Sequence, residues 1–225
     1  MIDSKKELSS EQHTLYIEII PEKKRVINKE KNIYEIRPKH KRYRVYIGRF
    51  FELKKGLHSV FNGLREASEK DYLELMINSG GGLVNEGQQF YNLIQEKFYR
   101  RTISYLDNKG YSMGALLFCM AEKRVVYEYS DLMFHTYSHG SSGKGGEVKS
   151  HVTHTAKKLE QFFYNLIVKQ GFLTDEEFRK MVIGQDYWMD TKEMCKRGIA
   201  THVIVEGQEL TAKEYLKKIK NKKKK

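Results

Sequence analysis

A serine set between two glycines, Gly110-Tyr111-Ser112-Met113-Gly114, runs directly into an apolar segment that ends at Ala121. Glycines at these places relieve crowding in a sharp strand-to-helix turn, so that the serine oxygen projects and the following amide faces the same pocket. The five-residue pattern also fits an ordinary structural turn. Two further stretches bear on the choice. Upstream, "INSGGG" closes an apolar strand pattern with Gly80, Gly81 and Gly82, whose amides can approach a substrate closely because no Cβ intervenes. Such a turn is a candidate oxyanion donor. Downstream, "LMFH" sets His135 at the end of an apolar run, and "GQDYWM" sets Asp186 ahead of an aromatic pair and a helix start. A serine hydroxyl is a poor nucleophile until a neutral imidazole takes its proton, and the developing oxyanion needs donors already in place. Serine, base and orienting acid all stand at element ends here. Each alone has a plainer reading: His135 as a structural histidine, Asp186 as a turn cap before Tyr187. Asp190, a nearby carboxylate, opens "DTKE" and is better explained as a helix N-cap.

The elements that must position these residues follow from periodicity. "HTLYIEII" and "RYRVYIG" alternate as strands of an added hairpin or arm, separated by a charged stretch. From Leu53 the pattern turns helical, with Leu57, Val60, Phe61 and Leu64 on one stripe. Tyr72–Ile77 reads as a buried strand, followed by the glycine turn and a helix from about Val84. The strand "TISYL", the serine turn, a helix over Leu116–Met120 and the strands "RVVYE" and "LMFH" come next. Repeated β-turn-α of this kind predicts an α/β domain with largely parallel strands. A Gly/Ser stretch then opens a long helix with Val152, Leu159, Phe162, Phe163, Leu166 and Ile167 toward one side. "TDEE" at Thr174 is a capping box, and Gly198 is a C′ glycine ahead of the strand "IATHVIV". The expected division is an N-terminal extension over 1–43, an α/β domain over 44–206, and a basic helix and tail over 207–225.

Composition narrows the class. The 225 residues suffice for one ample core, and 40% hydrophobic with 12% aromatic residues excludes disorder throughout. No run of 18 apolar residues occurs and the N-terminus lacks an apolar targeting core, so a soluble, cytoplasmic protein without membrane association is expected. Cys119 and Cys195 belong to no CxxC pair and read as free core thiols. The net charge of +12 is concentrated, with eight lysines between Lys213 and Lys225 and ten Lys or Arg between Lys23 and Arg44. A solvated tail is preferred to a nucleic-acid site for the lysine-rich end. "GSSGKGG" lacks the phosphate-loop pattern, and His139, His151 and His154 form a loose cluster without a convincingly spaced further ligand. No cofactor and no metal ligand set are assigned.

"INSGGG", "YSMGA", "LMFH" and "QDYWMDTKEMCKRGIA" together resemble the proteolytic subunit of Clp protease, whose patterns read INSPGG, ASMGA, xMIH and RDxxMxAxEAxxxGxID. The resemblance covers about Arg44 to Val205, with the motifs in order and at similar intervals. It implies the ClpP/crotonase-like fold, a spiral of β-β-α units with a protruding handle helix, here within about 138–171. It makes Ser112 the nucleophile, His135 the general base and Asp186 the acid that orients it. Gly82 and Met113 would supply the oxyanion-hole amides. It further implies a serine endopeptidase of unfolded polypeptides, assembled as a homo-oligomer of two stacked heptameric rings and fed by an AAA+ Clp ATPase unfoldase. Gly80 stands where the family has proline, "HTYSHG" replaces its usual HQP after the histidine, and the first forty residues do not match its axial-loop segment. Such departures suit a phage-encoded or otherwise specialised member.

Other readings use the same residues. An α/β-hydrolase esterase would order Ser112, Asp186 and His202, but His202 lies inside an apolar strand pattern and no HGGG-type loop occurs. A crotonase-like acyl-CoA enzyme would leave Ser112, His135 and Asp186 without a joint purpose. A catalytically inactive ring-forming or nucleic-acid-binding relative would instead use the basic segments, with salt-dependent binding.

Overall fold

A computed structural model of the chain describes residues 15–20, 40–48 and 57–222. The charged stretch between the first two strands, the onset of the helical pattern at Leu53 and the last three lysines lie outside the described residues. The first half of the chain supplies β1 (Leu15–Ile20), β2 (Arg42–Ile47), α1 (Leu57–Arg65), β3 (Tyr72–Ser79), α2 (Val84–Lys97) and β4 (Thr102–Tyr111). Next come α3 (Met113–Cys119), β5 (Lys123–Tyr127), β6 (Asp131–Phe134) and the long α4 (Gly145–Ile167). The last part holds α5 (Asp175–Val182), β7 (Tyr187–Asp190), α6 (Thr191–Lys196), β8 (His202–Val205), β9 (Gln208–Thr211) and α7 (Ala212–Lys222).

The strands join in one sheet of order β1-β2-β3-β4-β5-β8-β9, with β6 on the far part of β4 and β7 beyond β6. Neighbours from β2 through β8 are parallel, as the β-turn-α repeats predict, and so are β4 and β6. Antiparallel pairs occur at the margins: β1 with β2, β6 with β7, and β8 with β9. Alternation explains the faces of β2, where Tyr43, Val45 and Ile47 are buried and the intervening residues are not.

Strand β4 organises the site because it changes partner along its length. Ile103 to Leu106 pair with β5, whereas Lys109 to Tyr111 pair with β6, and the register against β3 slips over the same interval. A bulge of this kind bends a strand and ends one ladder where another begins. The buried Ser130 hydroxyl donates to the Leu106 carbonyl at 2.6 Å and accepts from the Tyr127 amide at 2.9 Å. The Thr191 hydroxyl lies 2.7 Å and 3.1 Å from the Tyr127 and Ser130 carbonyls. These side chains satisfy backbone groups exposed by the partner change. They also fix where β6 starts, and hence where His135 ends.

Every residue of α3 is buried, consistent with its all-apolar sequence, and the helix sits in a core shared with Phe90, Leu93 and Ile94 of α2 and Phe163 and Ile167 of α4. Helix α4 matches the long helix expected in the handle region. Its buried residues, Leu159, Phe163, Leu166 and Ile167, all lie in the C-terminal half, while Val152 stays exposed. The capping box at Thr174 forms as predicted, and Asp190 caps α6 by accepting from the Glu193 amide at 2.7 Å. Two strands were not foreseen. The residues after Asp186 form β7 before the helix begins, and β9 returns against β8 through Glu206 and Gly207, both at positive φ. Among the described residues, no helix is long and apolar enough to cross a membrane.

Candidate active site

Ser112 follows directly on β4 and precedes α3, at φ 57° and ψ −125°. An L-residue seldom adopts this conformation, so the surroundings must impose it. They do so at both backbone groups. The Ser112 amide donates to the Met133 carbonyl of β6 at 3.0 Å, and the Ser112 carbonyl accepts from the Ala115 and Leu116 amides at 3.0 and 3.2 Å. The serine is pinned between the sheet and the first turn of α3, the geometry of a nucleophile elbow. Gly114 lets that turn come close, since a Cβ there would fall 2.9 Å from the Ser79 Cβ and 3.1 Å from its carbonyl oxygen. Met113 opens α3, where an amide has no intrahelical acceptor.

The glycine turn after β3 lies against the serine. A Cβ on Gly81, which has φ 107°, would be 2.7 Å from the Ser112 Cβ, 2.9 Å from the Tyr111 carbonyl oxygen and 3.2 Å from the Ser112 Oγ. Only glycine permits both that dihedral and that approach. The Gly81 amide donates to the Ser79 hydroxyl at 3.1 Å, which engages it within the turn and leaves Gly82 as the next residue along the loop.

His135 and Asp186 occupy neighbouring strand ends. Strand β6 pairs with β4 at Tyr111↔Met133 and with β7 at Phe134↔Tyr187. One further step in the antiparallel register sets His135 opposite Asp186, beside the end of β4 that carries Ser112. The structure therefore gathers all three predicted residues at the ends of three adjacent strands. Ser112 and His135 are half-buried and Asp186 is exposed. Among the described residues, none of the three side chains is hydrogen-bonded to another of the three.

The competing groupings do not assemble. Asp190 is engaged as the α6 cap. His202 pairs with Val125, which pairs with Tyr105, seven residues short of Ser112 on β4. At the strand rise of about 3.3 Å per residue this is about 20 Å away along the sheet. The His202 Nδ1 instead lies 2.9 Å from the Thr201 hydroxyl. The His139 and His151 rings meet edge to face at 5.0 Å, and the Ser141 hydroxyl lies 3.1 Å from the His151 Nδ1. Burial pushes the thiols of Cys119 and Cys195 up to about 12, so neither is a thiolate nucleophile at neutral pH.

Sequence reasoning missed the surroundings of Tyr111. Its hydroxyl donates to the Asp131 carboxylate at 2.5 Å, a bond that pushes the phenol up to about 12 and keeps it neutral. Its ring meets Trp188 at 5.1 Å. The alternation in "DLMFH" already sets Asp131, Met133 and His135 on one face. The contact with Trp188 needs the pairing of β6 with β7, which no local pattern supplied.

The sequence profile of the Clp protease family matches residues 55–207, more than half of the chain. The chain belongs to the Clp protease family. Membership supports a serine-type protease, and the mixed α/β sheet with its helices agrees with the ClpP/crotonase-like fold of that family. The matched span holds Ser112, His135 and Asp186 as well as the glycine turn. It excludes β1 and β2, which add to the sheet beyond β3, and all of β9 and α7.

Proposed function

We propose that the chain is a serine endopeptidase that cuts unfolded polypeptides through Ser112, His135 and Asp186. The observation that carries this reading is the pinned, positive-φ elbow at Ser112, with His135 and Asp186 at the ends of the two strands beside it. His135 takes the Ser112 proton as Oγ attacks the scissile carbonyl, and Asp186 orients the imidazole and stabilises its cationic form. The amides of Gly82 and Met113 donate to the oxyanion. His135 then protonates the leaving amine, and water, activated by the same imidazole, releases the acyl group from Ser112. Loss of one oxyanion donor in such a site costs about 100- to 1000-fold in rate.

The family resemblance extends the reading to assembly and supply. The chain works as a homo-oligomer of two stacked heptameric rings, with the exposed half of α4 as the projecting handle. A Clp-type AAA+ ATPase unfolds and feeds the substrate, in the cytoplasm. No bound cofactor enters the hydrolytic step.

A fluorophosphonate probe tests the central claim. The wild-type protein is expected to form an adduct that peptide mass spectrometry locates at Ser112, and Ser112→Ala is expected to lose it while keeping its assembly state. Absence of labelling in the assembled protein would leave a non-catalytic ring-forming or nucleic-acid-binding relative as the better account.

A further inference from the structure

Strand β4 reaches Ser112 through a stretch that its backbone specifies weakly. The ladder with β5 ends at Leu106, and Asp107 and Asn108 are exposed. The last three residues, Lys109 to Tyr111, rest on three pairs with β6 and on a single pair with β3, Ser79 with Gly110. Gly110, in the middle of that short ladder, has no side chain to mark its place. Register is poorly fixed in such a strand, and a slip of one residue turns every side chain to the other face. Tyr111 supplies what the backbone lacks. Its hydroxyl donates at 2.5 Å to the carboxylate of Asp131, the first residue of β6, and its ring meets Trp188 of β7 edge-on at 5.1 Å and 70°. The Lys109 ammonium lies 5.9 Å from the centre of the same ring. One side chain thus touches all three strands whose ends carry Ser112, His135 and Asp186.

We infer that Tyr111 is a positioning residue for the proposed hydrolysis: it keys the ends of β4, β6 and β7 to one register and so sets Ser112 against His135 and Asp186. The inference rests on the assignment of those three residues as the triad. Tyr111 is peptide-bonded to Ser112, Asp131 stands four residues before His135, and Trp188 stands two residues after Asp186. The phenol takes no direct part in the chemistry. It is engaged by Asp131, which pairs with Lys109, three residues back along β4 from Ser112. A hydrogen bond to an ionised carboxylate is a strong one, and here it pushes the phenol up to about 12, so the donor proton stays in place across the neutral range. The bond also answers a conflict in β6. Asp131 lies directly opposite Asp190 in the pairing with β7, and like charges at opposed positions weaken a ladder. Tyr111 draws the Asp131 carboxylate toward β4, while Asp190 is engaged by the Glu193 amide.

The test uses the full chain and a small fluorophosphonate, whose bond-forming rate at saturating probe reports how well Ser112 and His135 are placed. Tyr111→Phe keeps a ring beside Trp188 and removes the bond to Asp131. It is expected to slow the bond-forming step about 10- to 100-fold, the scale of a displacement of about 1 Å, with the probe concentration for half-maximal rate unchanged. Asp131→Asn keeps an oxygen acceptor at the same place and is expected to stay within about 3-fold of wild type, since only the strength of the bond changes. Asp131→Leu removes the acceptor and should match Tyr111→Phe. The double variant Tyr111→Phe/Asp131→Leu should be no slower than either single one, because each removes the same contact. If Tyr111→Phe fails to fold, the contrast between Asp131→Asn and Asp131→Leu asks the same question from the other end of the bond. Slow labelling that the double variant reverses would overturn the inference, since it marks only a carboxylate left unpaired. So would a loss confined to the half-maximal concentration, or one that tracks the unfolded fraction in urea. Wild-type labelling at Ser112 with an unchanged rate in Tyr111→Phe would overturn the positioning role alone. A wild-type chain inert to the probe would overturn the Ser112 assignment and the positioning role with it.

Discussion

Ser112 joins backbone strain to the chemistry proposed for it. Its φ of 57° and ψ of −125° belong to a region that L-residues occupy at a cost of about 1–3 kcal/mol. The Met133 carbonyl and the amides of Ala115 and Leu116 hold it there. Ser112→Ala keeps the Cβ and hence the strain, whereas Ser112→Gly removes it. Glycine loosens the unfolded chain by roughly 0.5–1 kcal/mol, which offsets part of the gain. Ser112→Gly is therefore expected to be about 1 kcal/mol more stable than Ser112→Ala in urea unfolding, with both unable to form the probe adduct. Equal stability of the two variants would mean that the elbow stores no strain. The glycine-flanked serine and the run of three glycines were visible in the sequence because both are local patterns. The reason for Gly81 was not: it is the approach of Ser112 from another strand.

At the scale of elements, the placement of Asp186 depends on the helices on either side of β7. Glu177 in the first turn of α5 forms a two-pronged ion pair with Arg197 at the end of α6, at 3.0 and 2.9 Å. Arg197 also reaches the Phe172 carbonyl and Glu193. The Arg197 guanidinium, helped by the Thr174 amide, holds the Glu177 carboxyl down at about 2, against an ordinary value of 4.5. A depressed carboxylate stabilises the fold above its unfolded pKa and loses that contribution as pH falls through the folded one. Glu177→Gln should thus lower the urea midpoint at pH 6 and converge on wild type as the pH approaches 2. Parallel curves from pH 6 to pH 2 would sink this account of the clamp. The caps at Thr174 and Asp190 could be read from sequence because each is a short signal with one physical use. β7 escaped because four residues between a loop and a cap carry too little alternation. β9 escaped because its turn is Glu-Gly, where the usual hairpin signals are Asn-Gly or Asp-Gly. The extension of β4 beyond "TISYL" escaped for a different reason: its last residues pair with β6, and only the three-dimensional partner change reveals them as strand.

At the scale of the whole molecule, the order of motifs along the chain was enough to foresee the parallel α/β sheet, since each β-turn-α unit specifies its own crossover. What one chain does not supply is a closed contact among the three residues proposed as the triad. Ser112, His135 and Asp186 stand at adjacent strand ends without hydrogen bonds among them, and Asp186 faces solvent. An exposed carboxylate orients an imidazole weakly, because water competes for both partners and screens their attraction. Packing against a second copy would remove that water and favour the ordered contact. The exposed half of α4 and the edge of β7 that is unpaired among the described residues are the natural places for such packing. Labelling of Ser112 by the fluorophosphonate probe is accordingly expected to rise with protein concentration, in step with the oligomer fraction measured by sedimentation. A substitution that places charge on the exposed handle, such as Val152→Asp, should shift both curves together to higher concentration. Labelling that stays constant while the oligomer dissociates would show that the single chain aligns its own triad, and assembly would then serve to confine the substrate.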